Sequence, residues 1–289
     1  MAEIILCEPV ELYNLLNQTR TVPRLAEINY LCLIDAQETH DFLTGHIITA
    51  KHAGDGTFYL PDAVQLDTMQ NVVIYDATTR SLEEEAGRAI DCAQELGKSY
   101  YRPIKILAGG YRLFSAIYPF LRTHKILYNI WELENLKLYP LEIIPGALYM
   151  GDLKQSQGSL SDLKIRAITS SNSHTSEKNV RKILDIPLAD EGESDLYSKF
   201  ETICNFISFH IEEGSRVLVV SREGTSRCST VVLAFFIYYF RYTLEEAWTY
   251  IIKCKPTVRP NTGFLQQLCQ WEVLAIGKKD TDLSKPPFL

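Results

Sequence analysis

No Cys-x-x-Cys pair occurs anywhere in this 289-residue chain, although it contains seven cysteines. Scattered thiols argue against a disulfide framework or a structural zinc site and point to a reducing compartment. No uninterrupted apolar run reaches about 18 residues, so no transmembrane helix is expected. Basic tracts are missing too. The net charge is −7, and the adjacent basic pairs Arg181-Lys182 and Lys278-Lys279 read as solvated surface. A sequence-independent nucleic-acid binder would concentrate such charge, so no nucleic-acid partner is expected. The N-terminus lacks a basic n-region and is not Arg/Ser-rich, which argues against secretion and shows no conventional transit peptide. The expected compartment is the cytoplasm, with mitochondrial association left open. No internal repeat, Gly-x-Ser-x-Gly elbow or clustered Cys/His set is present, so no metal or cofactor is expected.

The chain is 46% hydrophobic and 22% charged, which describes a globular protein long enough for two domains. Its first half alternates strand and helix signals. Residues 30–35 and 72–76 read as buried parallel strands, and 104–107 as another, followed by Gly109-Gly110 and a helix from Leu113. Residues 81–96 read as an amphipathic helix, with Ser81 as N-cap, Glu84 completing a capping box and Gly97 at the C-cap. This alternation predicts an open α/β domain over 1–130. A linker over 131–140, a second α/β domain over 141–277 and a disordered polar tail over 278–289 complete the expected organisation.

The second half carries the sharper signal. Residues 217–221 form an apolar run ending in Ser221. Arg222, Glu223, Gly224, Thr225, Ser226 and Arg227 follow, and then the apolar segment 229–237. That order is strand, loop, helix. It aims the loop N–H groups and the positive end of a helix at one point, where an anion can sit. Arg227 can add a bidentate fork for phosphate oxygens. Residues 221–227 are therefore the expected phosphate-binding loop.

Val220-Ser221, five residues, then Arg227 resembles the His-Cys-x5-Arg frame of cysteine-dependent phosphatases. Residues 259–268 with Trp271-Glu272, and the opening segment 142–151, resemble the dual-specificity phosphatase domain. The upstream segments 31–37, 45–50, 72–76 and 104–111 resemble a rhodanese (Cdc25-homology) domain. The pairing is similar to the mitogen-activated protein kinase phosphatases, and with the cysteine replaced it most resembles the STYX-like pseudophosphatases. The opening residues 6–14 support that closer match.

The resemblance implies a fold of a rhodanese-like open parallel sheet followed by a dual-specificity-phosphatase-like α/β domain. It implies Asp190 as the general acid, 31 residues before Ser221. It also marks Val220, Ser221 and Cys228 as departures, since the family carries His, Cys and Ser there. A thiol starts near pKa 8.5 and can be pulled below 7 at a helix N-terminus, whereas a serine hydroxyl needs an adjacent base, which the sequence does not show. Ser221 is expected to hydrogen-bond within the loop, Asp190 is equally readable as a solvated loop carboxylate, and Cys228 as a packing residue. Asp76 stands where active rhodanese-like domains carry cysteine, and His46 is expected to be structural. The isolated Arg20, Arg24, Lys51 and Arg80 do not form the basic cluster by which the kinase phosphatases dock kinases.

The expectation is a non-enzyme: an adaptor or decoy in phosphorylation-dependent kinase or stress signalling, with proteins, including phosphoproteins, as partners. A weak phosphatase using Ser221 and Asp190, and a scaffold that binds no phosphate, remain as alternatives.

Overall fold

A computed structural model describes residues 2–55, 66–83, 87–98, 100–171, 182–277, 281–285 and 288. The chain divides into two compact units, Met1–Leu136 and Lys137–Leu289. In the first, β1 (Ile4–Cys7), α1 (Pro9–Leu16), β2 (Leu31–Asp35), α2 (Thr39–Thr44), β3 (His46–Ile47), β4 (Lys51–His52), β5 (Asn71–Tyr75), α3 (Arg88–Leu96), β6 (Ile104–Leu107), α4 (Gly110–Ile117), β7 (Arg122–Thr123) and α5 (Ile130–Glu134) follow in order. The sheet runs β1-β6-β5-β2-β4 with every pair parallel. Parallel strands are covered on both faces and need near-continuous apolar runs, as in the buried Cys32–Asp35 and Val72–Tyr75 stretches. The α/β class read from the alternation is the class observed.

One local expectation is corrected. The helix expected from Ser81 begins at Arg88, with Gly87 at its N-cap. The first-turn N–H of Ala89 is capped from a distance by the Asp76 carboxylate at 3.1 Å, so the start is set by the β5 loop rather than by Ser81. Glu84 lies outside the described residues. Helix α5, Ile130–Glu134, runs into the stretch expected as a linker, and it forms because Asn129 and Glu132 make a reciprocal capping box.

The second unit contains β8 (Leu141–Ile144), β9 (Leu148–Asp152), α6 (Leu153–Ser156), β10 (Ile165–Ser170), β11 (Lys182–Asp185), α7 (Phe200–Glu212), β12 (Arg216–Ser221), α8 (Arg227–Phe240), α9 (Leu244–Cys254) and α10 (Thr262–Ile276). Its sheet runs β11-β10-β12-β9-β8, parallel except for the β8 edge. Strand β12 is central. Helix α8 is buried from Cys228 to Ile237, which its nearly all-apolar sequence requires. A central strand and a core helix thus clamp the short connection 222–226 at both ends.

The tail was expected to be disordered. Instead Thr281 is buried, and its Oγ1 donates to Glu272 Oε1 at 2.8 Å. Leu283 and Phe288 lie against the core. Glu272, itself fully buried, also accepts from the Leu244 N–H at 2.9 Å. A buried carboxylate requires such donors, and the polar tail supplies two of them.

Candidate functional site

Strand β12 delivers Ser221 to the start of the loop, where it pairs with Asp152 on β9. The chain then turns through Gly224 at φ 66°. A Cβ there would also approach Asp152 N to 2.9 Å, so glycine is required both by conformation and by space. Ser226 precedes α8, and Arg227 is its first residue. Among the described residues, no acceptor takes the N–H groups of Arg222, Glu223, Thr225 or Ser226. These donors and the N-terminus of a 14-residue helix surround one short loop. Arg222 and Glu223 are exposed, while Ser221, Gly224 and Ser226 are buried.

Ser221 was expected to donate within the loop. Its Oγ accepts the Gly224 N–H at 3.2 Å. Cys228 is fully enclosed. Burial pushes its pKa up, against the opposing pull of the Lys255 ammonium and of Ser221. The packing role read for Cys228 agrees with this burial.

Asp190 is brought to the loop rather than left in solvent. Its Oδ1 accepts from Ser226 Oγ at 2.6 Å and from Asn261 Nδ2 at 3.0 Å, and its Oδ2 lies 3.5 Å from Arg227 Nε. Arg227 Nη1 donates to Leu188 O at 2.7 Å. Two of the three guanidinium nitrogens therefore face protein groups, and Nη2 has no acceptor among the described residues. Val220 is buried beneath the loop, and Ser171 N donates to its carbonyl at 3.3 Å.

Sequence reasoning missed the far side of the site. Lys255 is 2% exposed and lies close enough to act on Cys228. Arg259 N donates to Thr225 O at 3.0 Å, and Asn261 N to Ser226 Oγ at 3.3 Å. The 259–268 segment served only as a family mark, although its Asn261 before a helix is a recognisable N-cap.

In the first unit the β5 loop is filled by its own carboxylate. Asp76 accepts from Thr78 N at 3.0 Å, Thr79 N at 2.8 Å, Thr79 Oγ1 at 2.6 Å and Ala89 N. Burial alone would raise its pKa, but these donors, Thr79 foremost, hold it below the usual carboxylate range. His46 is buried, with Nδ1 at 2.9 Å from Phe42 O and Nε2 at 3.1 Å from Lys125 O, a structural role. Among the described residues, no group of three or more His, Cys, Asp and Glu could hold a metal, and no helix is long and apolar enough to cross a membrane.

Every cysteine is free, and all but the half-buried Cys254 are buried. Burial raises the thiol pKa at Cys7 and Cys204, and raises it to about 11 at Cys32, about 12 at Cys92 and about 11 at Cys254.

Residues 148–273 match the family described as dual specificity phosphatase, catalytic domain, and residues 8–117 match the rhodanese-like domain. The chain is 34% identical over 137 residues to "Dual specificity protein phosphatase 5" of Rattus norvegicus, covering 46% of this chain and 35% of the relative. It is 30% identical over 140 residues to "Probable rhodanese domain-containing dual specificity protein phosphatase" of Dictyostelium discoideum, covering 47% and 29%. It is 32% identical over 106 residues to "Dual specificity protein phosphatase 18" of Pongo abelii, covering 36% and 56%. The chain thus spans under two thirds of these relatives' lengths. It carries a rhodanese-like domain followed by a dual-specificity phosphatase domain homologous to these proteins. The expectation of a non-enzyme is corrected by them: the catalytic-domain match includes Asp190, Ser221 and Arg227, and the relatives are named as phosphatases. Serine is a usable nucleophile wherever a base takes its proton, so its presence at 221 does not exclude hydrolysis.

Proposed function

We propose that this protein works in phosphorylation-dependent signalling in the cytoplasm by receiving phosphorylated side chains of partner proteins at residues 221–227, as an adaptor or decoy. One observation carries the reading: the loop N–H groups of Arg222, Glu223, Thr225 and Ser226, without acceptors among the described residues, immediately precede the N-terminus of α8. A dianion there would gain those donors and the remaining Arg227 nitrogen. The exposed Glu223 is free to face solvent, which limits its repulsion. Titration of a phosphotyrosine or phosphothreonine peptide into the full chain tests it. Binding should weaken at least about tenfold in Arg227→Ala. Equal binding by both proteins refutes the loop as the receiving surface.

A second reading, slow hydrolysis with Ser221 as nucleophile and Asp190 as acid, is favoured by the names of the relatives and by the presence of Asp190 at the loop. Phosphopeptide turnover that disappears in Ser221→Ala supports it. Turnover unchanged in that variant removes Ser221 from the reaction.

A further inference from the structure

A lysine lies in the interior beside the loop with nothing to neutralise it. Lys255 stands at the C-cap of α9 and is 2% exposed. Its segment is tied to the loop: Val258 N donates to the Lys255 carbonyl at 3.2 Å, and Arg259 N to Thr225 O at 3.0 Å. A lysine usually buries its stem and keeps its head in water, so an exposure this low encloses the ammonium too. Among the described residues, that ammonium has no hydrogen bond or ion pair. The nearby carboxylates are engaged elsewhere. Asp152, in register with Ser221, gives Oδ1 to Gln155 N at 2.7 Å, and Asp190 holds Ser226, Asn261 and Arg227. Burial dominates at the Cys228 thiol, and Lys255 is the strongest charge felt there, with the Ser221 side chain acting on the same sulfur. Lys255 and Ser221 thus approach one buried point behind the loop. A buried cation without a counter-charge is costly, and a bound anion removes that cost.

We infer that Lys255 is a specificity-determining residue of the loop: its uncompensated charge behind position 221 makes the site select a dianionic phosphomonoester over a monoanion of the same shape. Position 221 explains why the charge is left over. A thiolate there would neutralise an ammonium, whereas the Ser221 hydroxyl carries no charge. Arg227 and the loop N–H groups orient any tetrahedral anion, and Arg227 is shared with Asp190 at 3.5 Å. Lys255 adds a point charge rather than a fork. Coulomb attraction to it doubles when the ligand charge doubles, and an enclosed charge is screened little by salt. A phosphate ester, with a second pKa of about 6, carries close to two charges above neutrality. A sulfate ester of the same geometry carries one. The selection of a dianion rests on the loop reading proposed above; the charge behind position 221 does not.

Two peptides of one sequence, one with phosphotyrosine and one with sulfotyrosine, titrated into the full chain at about pH 8 test the selection. Wild type should bind the phosphopeptide at least about tenfold more tightly than the sulfopeptide. Lys255→Met keeps the stem and removes the charge. It should lose most of that ratio, while Lys255→Arg keeps it. An equal loss of both peptides in Lys255→Met is the result for a lysine that only shapes the loop, and it overturns the inference, as does an unchanged ratio. Thermal melts establish that the variants are folded, and Lys255→Gln takes the place of a Met variant that is not. A second measurement needs no ligand. In Ser221→Cys, kept reduced, the new thiol is titrated by its thiolate absorbance with wild type as the blank. It should ionise at least about one unit below the free-thiol value of about 8.5, and adding Lys255→Met should raise its pKa by about one unit or more. A thiol that ionises at the free value, or that does not respond to Lys255→Met, overturns the inference. If wild type binds neither peptide, the loop reading fails, and the thiol titration still judges the charge behind position 221.

Discussion

Arg227 Nε and Asp190 Oδ2 lie 3.5 Å apart, so the cation at the end of the loop already faces a carboxylate. The pair is only partly enclosed, with Asp190 about one-third exposed. Its net worth is therefore on the order of 1 kcal/mol, well below the gross Coulomb attraction. An incoming phosphate must share Arg227 with Asp190 or displace it.

Asp190→Asn should raise the affinity for inorganic phosphate about three- to tenfold, because it removes a negative charge beside the anion and releases Arg227. Asn keeps a carbonyl oxygen for the Ser226 hydroxyl, so the loop connection survives. Phosphate titration followed by the amide resonances of 222–226 measures the change. Weaker binding would mean that Asp190 holds the loop in shape more than it repels the ligand.

The double substitution Val220→His, Ser221→Cys should raise aryl phosphate turnover by roughly 10²-fold or more over wild type, since it places a thiol where helix dipole and Arg227 can ionise it. Adding Cys228→Ser should raise it again, because the Cys228 pKa is acted on by the side chain at 221, which places its thiol near a new thiol there as a competing disulfide partner. Steady-state kinetics on the folded double and triple variants check both steps.

Asp76 ties stability to pH in a stated direction. Its folded pKa is depressed, so its contribution is complete above the unfolded value of about 3.9 and is lost as pH falls through the lower folded value. Asp76→Asn should cost roughly 1–3 kcal/mol near pH 7 and lose less stability than wild type on acidification below about pH 4. Hydrogen exchange at the Thr79 and Ala89 amides across that range checks it.

Glu272→Ala should destabilise the second unit by about 2–3 kcal/mol. It leaves the Leu244 N–H, the first residue of α9, and the Thr281 N–H and hydroxyl without their acceptor. Urea unfolding of the full chain, followed by the fluorescence of the buried Trp271 one residue away, measures it.

Local order was legible in the sequence wherever neighbours along the chain decide it. The apolar run into Ser221, the glycine turn and the apolar run after Arg227 became β12, the loop and α8 because strand, turn and helix are set by adjacent residues. Gly97 followed α3 for the same reason. What was not legible depends on partners distant in the chain. The start of α3 is fixed by Asp76, the orientation of Arg227 by Leu188 O and Asp190, and the tail by Glu272. No periodicity in 278–289 announces a buried Thr281. Lys255 reads as an ordinary surface lysine, and only the closure of the domain encloses it.

The enclosure of the cysteines has a consequence for oxidative conditions. Peroxide attacks thiolates that are accessible and of low pKa. Here six of the seven thiols are buried and six are raised in pKa by burial, and the loop begins with a hydroxyl that peroxide does not oxidise. The recognition proposed at 221–227 would then persist through an oxidant pulse, because the residue that opens the loop carries no sulfur to oxidise.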